Sequence, residues 1–284
     1  MKAIVTGAGG MLAQALVPAL ERAGWTVRAL PETALDVTDF AAVSAAVTDP
    51  RPDWVFNLAA FTRVDDCETH ADRAHLVNGL GARNVALACA AAGAAMMQIS
   101  TDYVFDGRAL APYREYDTPA PLSMYGASKL AGERAVREVL ARHVIARTSW
   151  LYGAGGPNFV DTILAKAEAG ERLRVVDDQR GAPTWTEDLA AGLVALAAAG
   201  QFGTYHVTNR GSCTWYEFAK FLIAEAGVTA SIEPTDSLAY VRPARRPANS
   251  MLSSLLFDHV TGRPLPEWQD AARRYLRARR AVRA

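Results

Sequence analysis

A glycine-rich turn set between a short β-branched run and an amphipathic helix constrains this chain more than any other feature. Gly7-Ala8-Gly9-Gly10-Met11-Leu12-Ala13 follows the run Ala3 to Thr6. It opens a helical apolar pattern from Met11 to Ala23, with Gly24 as C-cap candidate. Such a turn lets backbone approach a pyrophosphate closely. The helix start supplies unpaired N–H groups and the positive end of a dipole. The spacing Gly7, Gly10, Ala13 departs from strict G-x-G-x-x-G. Its position after a strand and before a helix, more than the glycines themselves, indicates dinucleotide binding.

Strand and helix signals alternate onward. Trp25 to Leu30 and Trp54 to Leu58 read as strands, with a helix from Phe40 to Val47 between them. A long helix is expected from about Ala71 to Ala92, then a strand Ala95 to Ser100, a helix Ser128 to Leu140 and a strand Val144 to Thr148. This rhythm predicts an α/β fold: a Rossmann-like parallel sheet with helices on both faces. After Trp150 it loosens into helices Phe159 to Ala169, Thr186 to Ala199, Thr214 to Ala226 and about Leu265 to Arg280. Strands are expected at Leu173 to Val176 and Thr204 to Val207, and a proline-rich loop at Arg242 to Ala248. Residues 1–150 are expected to form the dinucleotide-binding part. Residues 151–284 would form a smaller, discontinuous, mainly substrate-binding part, some of it returning to the first.

Thirty basic and thirty acidic residues cancel, so no net field favours nucleic acid or an anionic membrane. The six arginines between Arg273 and Arg283 read as a solvated helix end. No apolar run approaches the ~20 residues of a membrane helix, and the first residues do not read as a secretory signal. Cys67, Cys89 and Cys213 suit neither a disulfide framework nor a zinc site, so a reduced cytoplasm is expected. None of the five histidines has metal-ligand spacing.

Tyr125 and Lys129 lie four apart near a helix start, on one face. A nearby ammonium would lower the phenol pKa, and the phenol would protonate the alkoxide formed as hydride reaches a carbonyl carbon. The ammonium would also hold a nicotinamide ribose. Thr101, at the end of the strand running into Ser100-Thr101-Asp102, would donate a second hydrogen bond to the oxyanion. A second pair, Tyr216 and Lys220, follows no comparable strand end and reads as an amphipathic helix. At the end of the second strand no carboxylate is present to bind a free ribose. Arg28 would attract a 2′-phosphate and Glu32 would oppose one, which favours NADPH and leaves NADH open. Asp36-Val37 reads either as an adenine edge or as a simple Asx-turn or helix cap.

In this order, the glycine loop, Thr101 and Tyr125-x-x-x-Lys129 resemble the extended short-chain dehydrogenase/reductase superfamily. Flanking blocks narrow the match: Asn57-Leu58-Ala59-Ala60-Phe61-Thr62-Arg63-Val64-Asp65, Ser100 to Gly107, Tyr125 to Glu133, Arg147 to Tyr152, Asp178 to Thr184 and Arg246 to Ser250. They are similar to the dTDP-4-dehydrorhamnose reductases over Ile4 to about Leu252. The resemblance implies reduction of the 4-keto group of dTDP-4-dehydro-L-rhamnose to dTDP-L-rhamnose. It makes Tyr125 the proton donor, Lys129 its electrostatic partner and ribose clamp, and Thr101 the second carbonyl donor. Asp102 and Trp150 would contact the sugar, although Trp150 also suits a core aromatic. Gly7, Gly10-Met11-Leu12, Asp36-Val37 and Ala60-Phe61-Thr62 would line the cofactor. The chain departs from the family at Leu58, Ala13 and Pro31; the last leaves the choice of cofactor open. Some members bind Mg²⁺ at a dimer interface through glutamates. Glu187 would correspond, but one glutamate makes no site and no metal is expected. The expected partner is a small sugar nucleotide, with a homodimer left open. Two other readings stand beside this one: a related 4-ketoreductase of another deoxysugar, and a catalytically silent dinucleotide-binding subunit.

Overall fold

Six strands form the central sheet of the protein, a computed structural model that describes residues 1–283. They are β1 (Lys2–Thr6), β2 (Thr26–Leu30), β3 (Trp54–Asn57), β4 (Ala95–Thr101), β5 (His143–Thr148) and, from the second half of the chain, Gly203–His206. Their order is β2, β1, β3, β4, β5, then Gly203–His206, and every pairing is parallel. Every residue of β3 and β4 is buried, as in strands covered on both faces.

The first-half helices are α1 (Met11–Arg22), α2 (Phe40–Thr48), α3 (Val64–Thr69), α4 (Ala71–His75), α5 (Ala82–Ala92) and α6 (Met124–Val139). On one face, Leu12, Leu16 and Leu20 of α1 pack with Leu189, Leu193 and Leu196 of the Thr186–Ala199 helix against Val5, Phe56 and Met97. On the other, Val43, Val85, Cys89 and Val136 cover Ile4, Val55 and Met96. Each such side chain contributes about 1.5–3 kcal/mol by leaving water. Gly24 adopts φ +79° after α1, and the N–H groups of Gly24 and Trp25 bond back to Glu21 and Leu20.

The structure departs from the sequence pattern in three places. The long helix expected over 71–92 has those bounds, but it contains a π-helical turn (Leu76–Gly81) between α4 and α5, and the separate α3 precedes it. The π turn presents Asn78, whose side chain bonds both the N–H and the C=O of Phe61 at 2.8 and 3.1 Å. Helix α6 starts at Met124 rather than Ser128, because Ser123 caps it by accepting from the Gly126 N–H. In the second half, Leu173–Val176 is the expected strand, but its partner Ile232–Thr235, the two-residue strands of the other two pairings and the helix Leu255–Thr261 gave no pattern long enough to read. The second half has its own aromatic core of Tyr152, Phe218, Trp268 and Tyr275. Arg273, Arg274 and Arg279 are not simply solvated; they pair with Glu225, Asp188 and Asp161 and tie the Trp268–Arg283 helix to the rest. Cys67, Cys89 and Cys213 are buried and unpaired. Among the described residues no helix is long and apolar enough to cross a membrane.

One buried ion pair joins α6 to the sheet. Glu133 accepts Arg147 Nε and Nη2, both at 2.8 Å, together with Ser100 Oγ at 2.5 Å and Arg137 Nη2 at 2.9 Å. Burial alone would raise the Glu133 carboxyl, but the Arg147 bonds and charge hold it below the usual carboxylate range. Its contribution to stability is therefore present at neutral pH and is lost as pH falls through that lowered value. Arg147→Met should cost about 3–5 kcal/mol in urea unfolding, because it strands a buried carboxylate. Adding Glu133→Gln should recover part of that loss. A single variant within about 0.5 kcal/mol of wild type would refute the assignment.

Candidate active site

The strand order reverses at β1, which has β2 on one side and β3 on the other. At such a point the loops leaving two adjacent strands diverge and open a crevice at the carboxyl edge. Gly7 stands there at φ +63°, and a Cβ on it would lie 2.6 Å from the Ala59 N, so only glycine fits. Gly10 is the N-cap of α1 without a side-chain cap, and no acidic residue occupies the first turn. The Ala13 N–H turns back to the Gly10 carbonyl, and the N–H groups of Met11 and Leu12 are left for an anion. Met11 is half-buried, whereas Leu12 is core, so Leu12 offers a ligand its backbone alone. Ala13, in place of a third glycine, is also core.

Ala60-Phe61-Thr62 leaves β3 on the other side of the crevice, and Asn78 fixes Phe61 in place. Asn78 Nδ2 also reaches Ser128 Oγ at 2.9 Å, and that hydroxyl bonds the Tyr125 carbonyl at 2.8 Å. Asp36 forms an Asx-turn, accepting from the N–H and hydroxyl of Thr38, while Asn84 holds the carbonyl of buried Val37. Arg28 sits two residues back from the end of β2. It lines a cleft of about 330 Å³ with Ala42, Ala46 and Asp49 of the α2 segment.

Helix α6 brings Tyr125 and Lys129 to the same edge. A Cβ on Gly126 would lie 2.1 Å from the Tyr103 carbonyl oxygen, so glycine lets the helix press against the segment after β4. The rings of Tyr103 and Tyr125 meet edge to face at 5.8 Å. The Met124 N–H donates to Glu68 Oε1 at 2.8 Å, which adds a carboxylate to the positive end of α6. Lys129 is buried and donates from Nζ to the Ile99 carbonyl at 2.6 Å. Burial pulls its pKa down to about 8, against the opposing charge of Glu133 one turn on.

The Tyr125 phenol does not follow the expected depression. Burial, then the Asp102 carboxylate, raise it above its ordinary value, and a Thr101 hydrogen bond opposes them only in part. The phenol is therefore protonated at neutral pH, the state a proton donor needs. Thr101 Oγ1 donates to Asp102 Oδ1 at 3.0 Å and accepts from the Tyr103 N–H at 3.2 Å. Asp102 is buried and pushed up to about 6, chiefly by loss of water. Its Oδ2 has no hydrogen-bond partner among the described residues. A buried orphan acceptor of this kind suits a ligand hydroxyl.

Trp150 has φ +48° and stacks on Trp215 with centroids 3.5 Å apart and planes 5° apart. A Cβ on Gly181 would meet the indole at 2.5 Å. Trp150 thus packs on the edge of the second-half aromatic core while remaining partly exposed. Tyr216 and Lys220 pack elsewhere, Tyr216 against the cluster of Ile163, Leu173 and Val175, with Lys220 over its ring. Glu187 pairs with Arg22 at 3.7 Å. Among the described residues no three His, Cys, Asp or Glu side chains gather to hold a metal.

The sequence reading missed Asn78, Glu68, Trp215 and the Asp65–Arg246 pair. That pair is bidentate at 3.1 and 3.0 Å and pins the proline-rich loop beside Tyr103. Its partners are 181 residues apart, so no local spacing announced it. Gly79 and Gly81, just after Asn78, were a usable signal, since glycines inside a helical pattern mark a close approach.

The RmlD substrate binding domain family matches residues 1–281. A dTDP-4-dehydrorhamnose reductase of Streptomyces griseus is 48% identical, over 94% of this chain and 90% of its own. The crystal structure of a dTDP-4-dehydrorhamnose reductase from Clostridium acetobutylicum superposes with a TM-score of 0.96 at 37% identity, covering 99% of this chain and 100% of that one. That of Bacillus anthracis, in complex with NADP, gives 0.95 at 37% identity, covering 98% and 99%. With the glycine crevice and the Tyr125–Lys129 helix in one Rossmann-like sheet, the chain belongs to the dTDP-4-dehydrorhamnose reductase family.

Proposed function

We propose that this protein reduces the 4-keto group of dTDP-4-dehydro-L-rhamnose to dTDP-L-rhamnose, using NADPH. The observation that carries the reading is the meeting of Tyr125, Thr101 and Asp102, with Lys129 one turn further along α6, at the sheet edge that holds the glycine crevice. The NADP complex of the Bacillus anthracis relative supports the choice of cofactor. The crevice fits such a dinucleotide: Gly7 leaves no side chain in it, and the uncapped start of α1 suits a pyrophosphate. When bound, the nicotinamide supplies the hydride. Residues 1–150 hold the dinucleotide, and the sugar lies mainly against residues 151–284, next to Trp150.

This reading gives the chain's own residues the following roles. Tyr125 holds its proton at Oη and delivers it to the carbonyl oxygen as charge develops there. Lys129 uses one N–H on Ile99 and keeps two donors for the ribose and the phenol oxygen. Thr101 turns its hydroxyl from Asp102 to the substrate oxygen. Asp102, with a free buried oxygen, accepts from a sugar hydroxyl. Asn78 and Glu68 hold the cofactor loop and the start of α6 against one another.

The reading is tested by NADPH oxidation with dTDP-4-dehydro-L-rhamnose beside a 4-keto-6-deoxy-D-glucose nucleotide. Turnover of the second alone would give the site to another deoxysugar; turnover of neither would leave a silent binding subunit. Tyr125→Phe should lose ~10²–10⁴-fold in kcat with the NADPH dissociation constant nearly unchanged. Tyr216→Phe should stay near wild type, and a comparable collapse there would move the assignment. Lys129→Met should weaken both turnover and NADPH binding; unchanged binding would limit Lys129 to an electrostatic role. The kcat/KM profile should fall below about pH 6, where Asp102 protonates, and above about pH 8, where Lys129 loses its charge. A flat profile across both limits contradicts these roles.

A further inference from the structure

Strands buried on both faces are built mainly from apolar side chains, yet at one level β1, β3 and β4 are polar side by side. Thr6, Asn57 and Gln98 are neighbours in register, Thr6 opposite Asn57 and Asn57 opposite Gln98. They are 0%, 1% and 2% exposed. Two residues earlier on the same face stand Ile4, Val55 and Met96, all apolar core. Polar groups so placed destabilise a fold unless they are bonded.

Here they are bonded end to end. Thr6 Oγ1 donates to Asn57 Oδ1 at 2.6 Å. Asn57 Nδ2 donates to Gln98 Oε1 at 2.7 Å, and Gln98 Nε2 donates to the Ile99 carbonyl at 3.0 Å. That carbonyl also receives Lys129 Nζ. The Ile99 oxygen can only accept, so it fixes the whole row. Gln98 must present its nitrogen there and its oxygen to Asn57, Asn57 must present its nitrogen to Gln98, and Thr6 must donate. Without the Thr6 donor, every arrangement of the two amides leaves a buried oxygen unpaired or two oxygens facing each other. The row begins at the residue before Gly7 and ends on the anchor of Lys129.

We infer that Thr6, Asn57 and Gln98 are positioning residues of the reductase site: their one-way row locks the Ile99 carbonyl as the anchor of Lys129 and ties that anchor to the root of the glycine crevice. None of the three needs to touch substrate or cofactor. The inference rests on the role of Lys129 proposed above. The geometry gives the row a function beyond filling the core, since apolar side chains like those two residues back would pack the same space.

The test combines Thr6→Val, Thr6→Ser, Gln98→Met and the Thr6→Val/Gln98→Met double variant. Each is measured for kcat, the KM of the sugar nucleotide, the NADPH dissociation constant without sugar, and thermal unfolding. Gln98→Met should lower kcat about 10-fold, the scale of one misplaced hydrogen bond. It should weaken NADPH binding several-fold and leave the sugar KM within about twofold. Thr6→Val should act in the same direction, and the double variant should be no worse than Gln98→Met alone, because one row is broken once. Thr6→Ser keeps the donor and should restore both readouts. Losses that multiply in the double variant, or a lowered melting temperature with kcat and NADPH binding unchanged, overturn the inference. The NADPH measurement needs no turnover, so the row can be judged even if the sugar substrate proves wrong. If the row variants change nothing while Lys129→Met still lowers both quantities, the row alone is refuted.

Discussion

Everything chemical in this protein depends on the reversal of strand order at β1. Because β2 and β3 flank β1, the loops after β1 and β3 part at one edge and leave a crevice between them. They part only slightly: Gly7 is close enough to Ala59 that a methyl group would not fit. That contact sets where a dinucleotide's phosphates would lie and where α1 begins. It also places the loop from Ala60 to Thr62 opposite the glycines. Helix α6 then needs only the missing side chain of Gly126 to bring Tyr125 to the same edge.

Loss of water acts on three neighbouring groups at once. It raises the Tyr125 phenol above its ordinary value, weakens the hold of Lys129 on its charge, and brings the Asp102 carboxyl close to neutral conditions. The same exclusion of water strengthens each hydrogen bond within the site. Beneath them Glu133 stays ionised because Arg147 and Arg137 meet it directly. The site thus has a fixed charged floor and a layer above it whose charges are easily changed.

Much of this was legible in the residues. Strand–helix alternation through Thr148 is strong because each element is long enough to show its period, and the glycine turn marks the crevice. Tyr125 and Lys129 were legible because helix geometry ties a spacing of four to one face. What escaped depends on contacts distant in sequence. The π turn carries the contact of Asn78 with Phe61, and Trp150 is clamped by Gly181 and Trp215. The direction of the Tyr125 shift escaped too, since helix spacing shows that Lys129 is near but not how deeply the phenol is buried. Arg28, singled out for its place on the second strand, lines a cleft shared with α2.

The last strand of the sheet has a consequence for how the chain is made. Gly203–His206 pairs with β5, and the Thr186–Ala199 helix covers the apolar stripe of α1. Both lie far downstream of the elements they complete. As the chain leaves the ribosome, β5 therefore emerges with a bare hydrogen-bonding edge, and Leu12, Leu16 and Leu20 lack their partners. A nascent chain halted before Gly203 is a template for pairing with its neighbours. The first half thus depends on later segments both to complete its sheet and to cover one of its apolar faces.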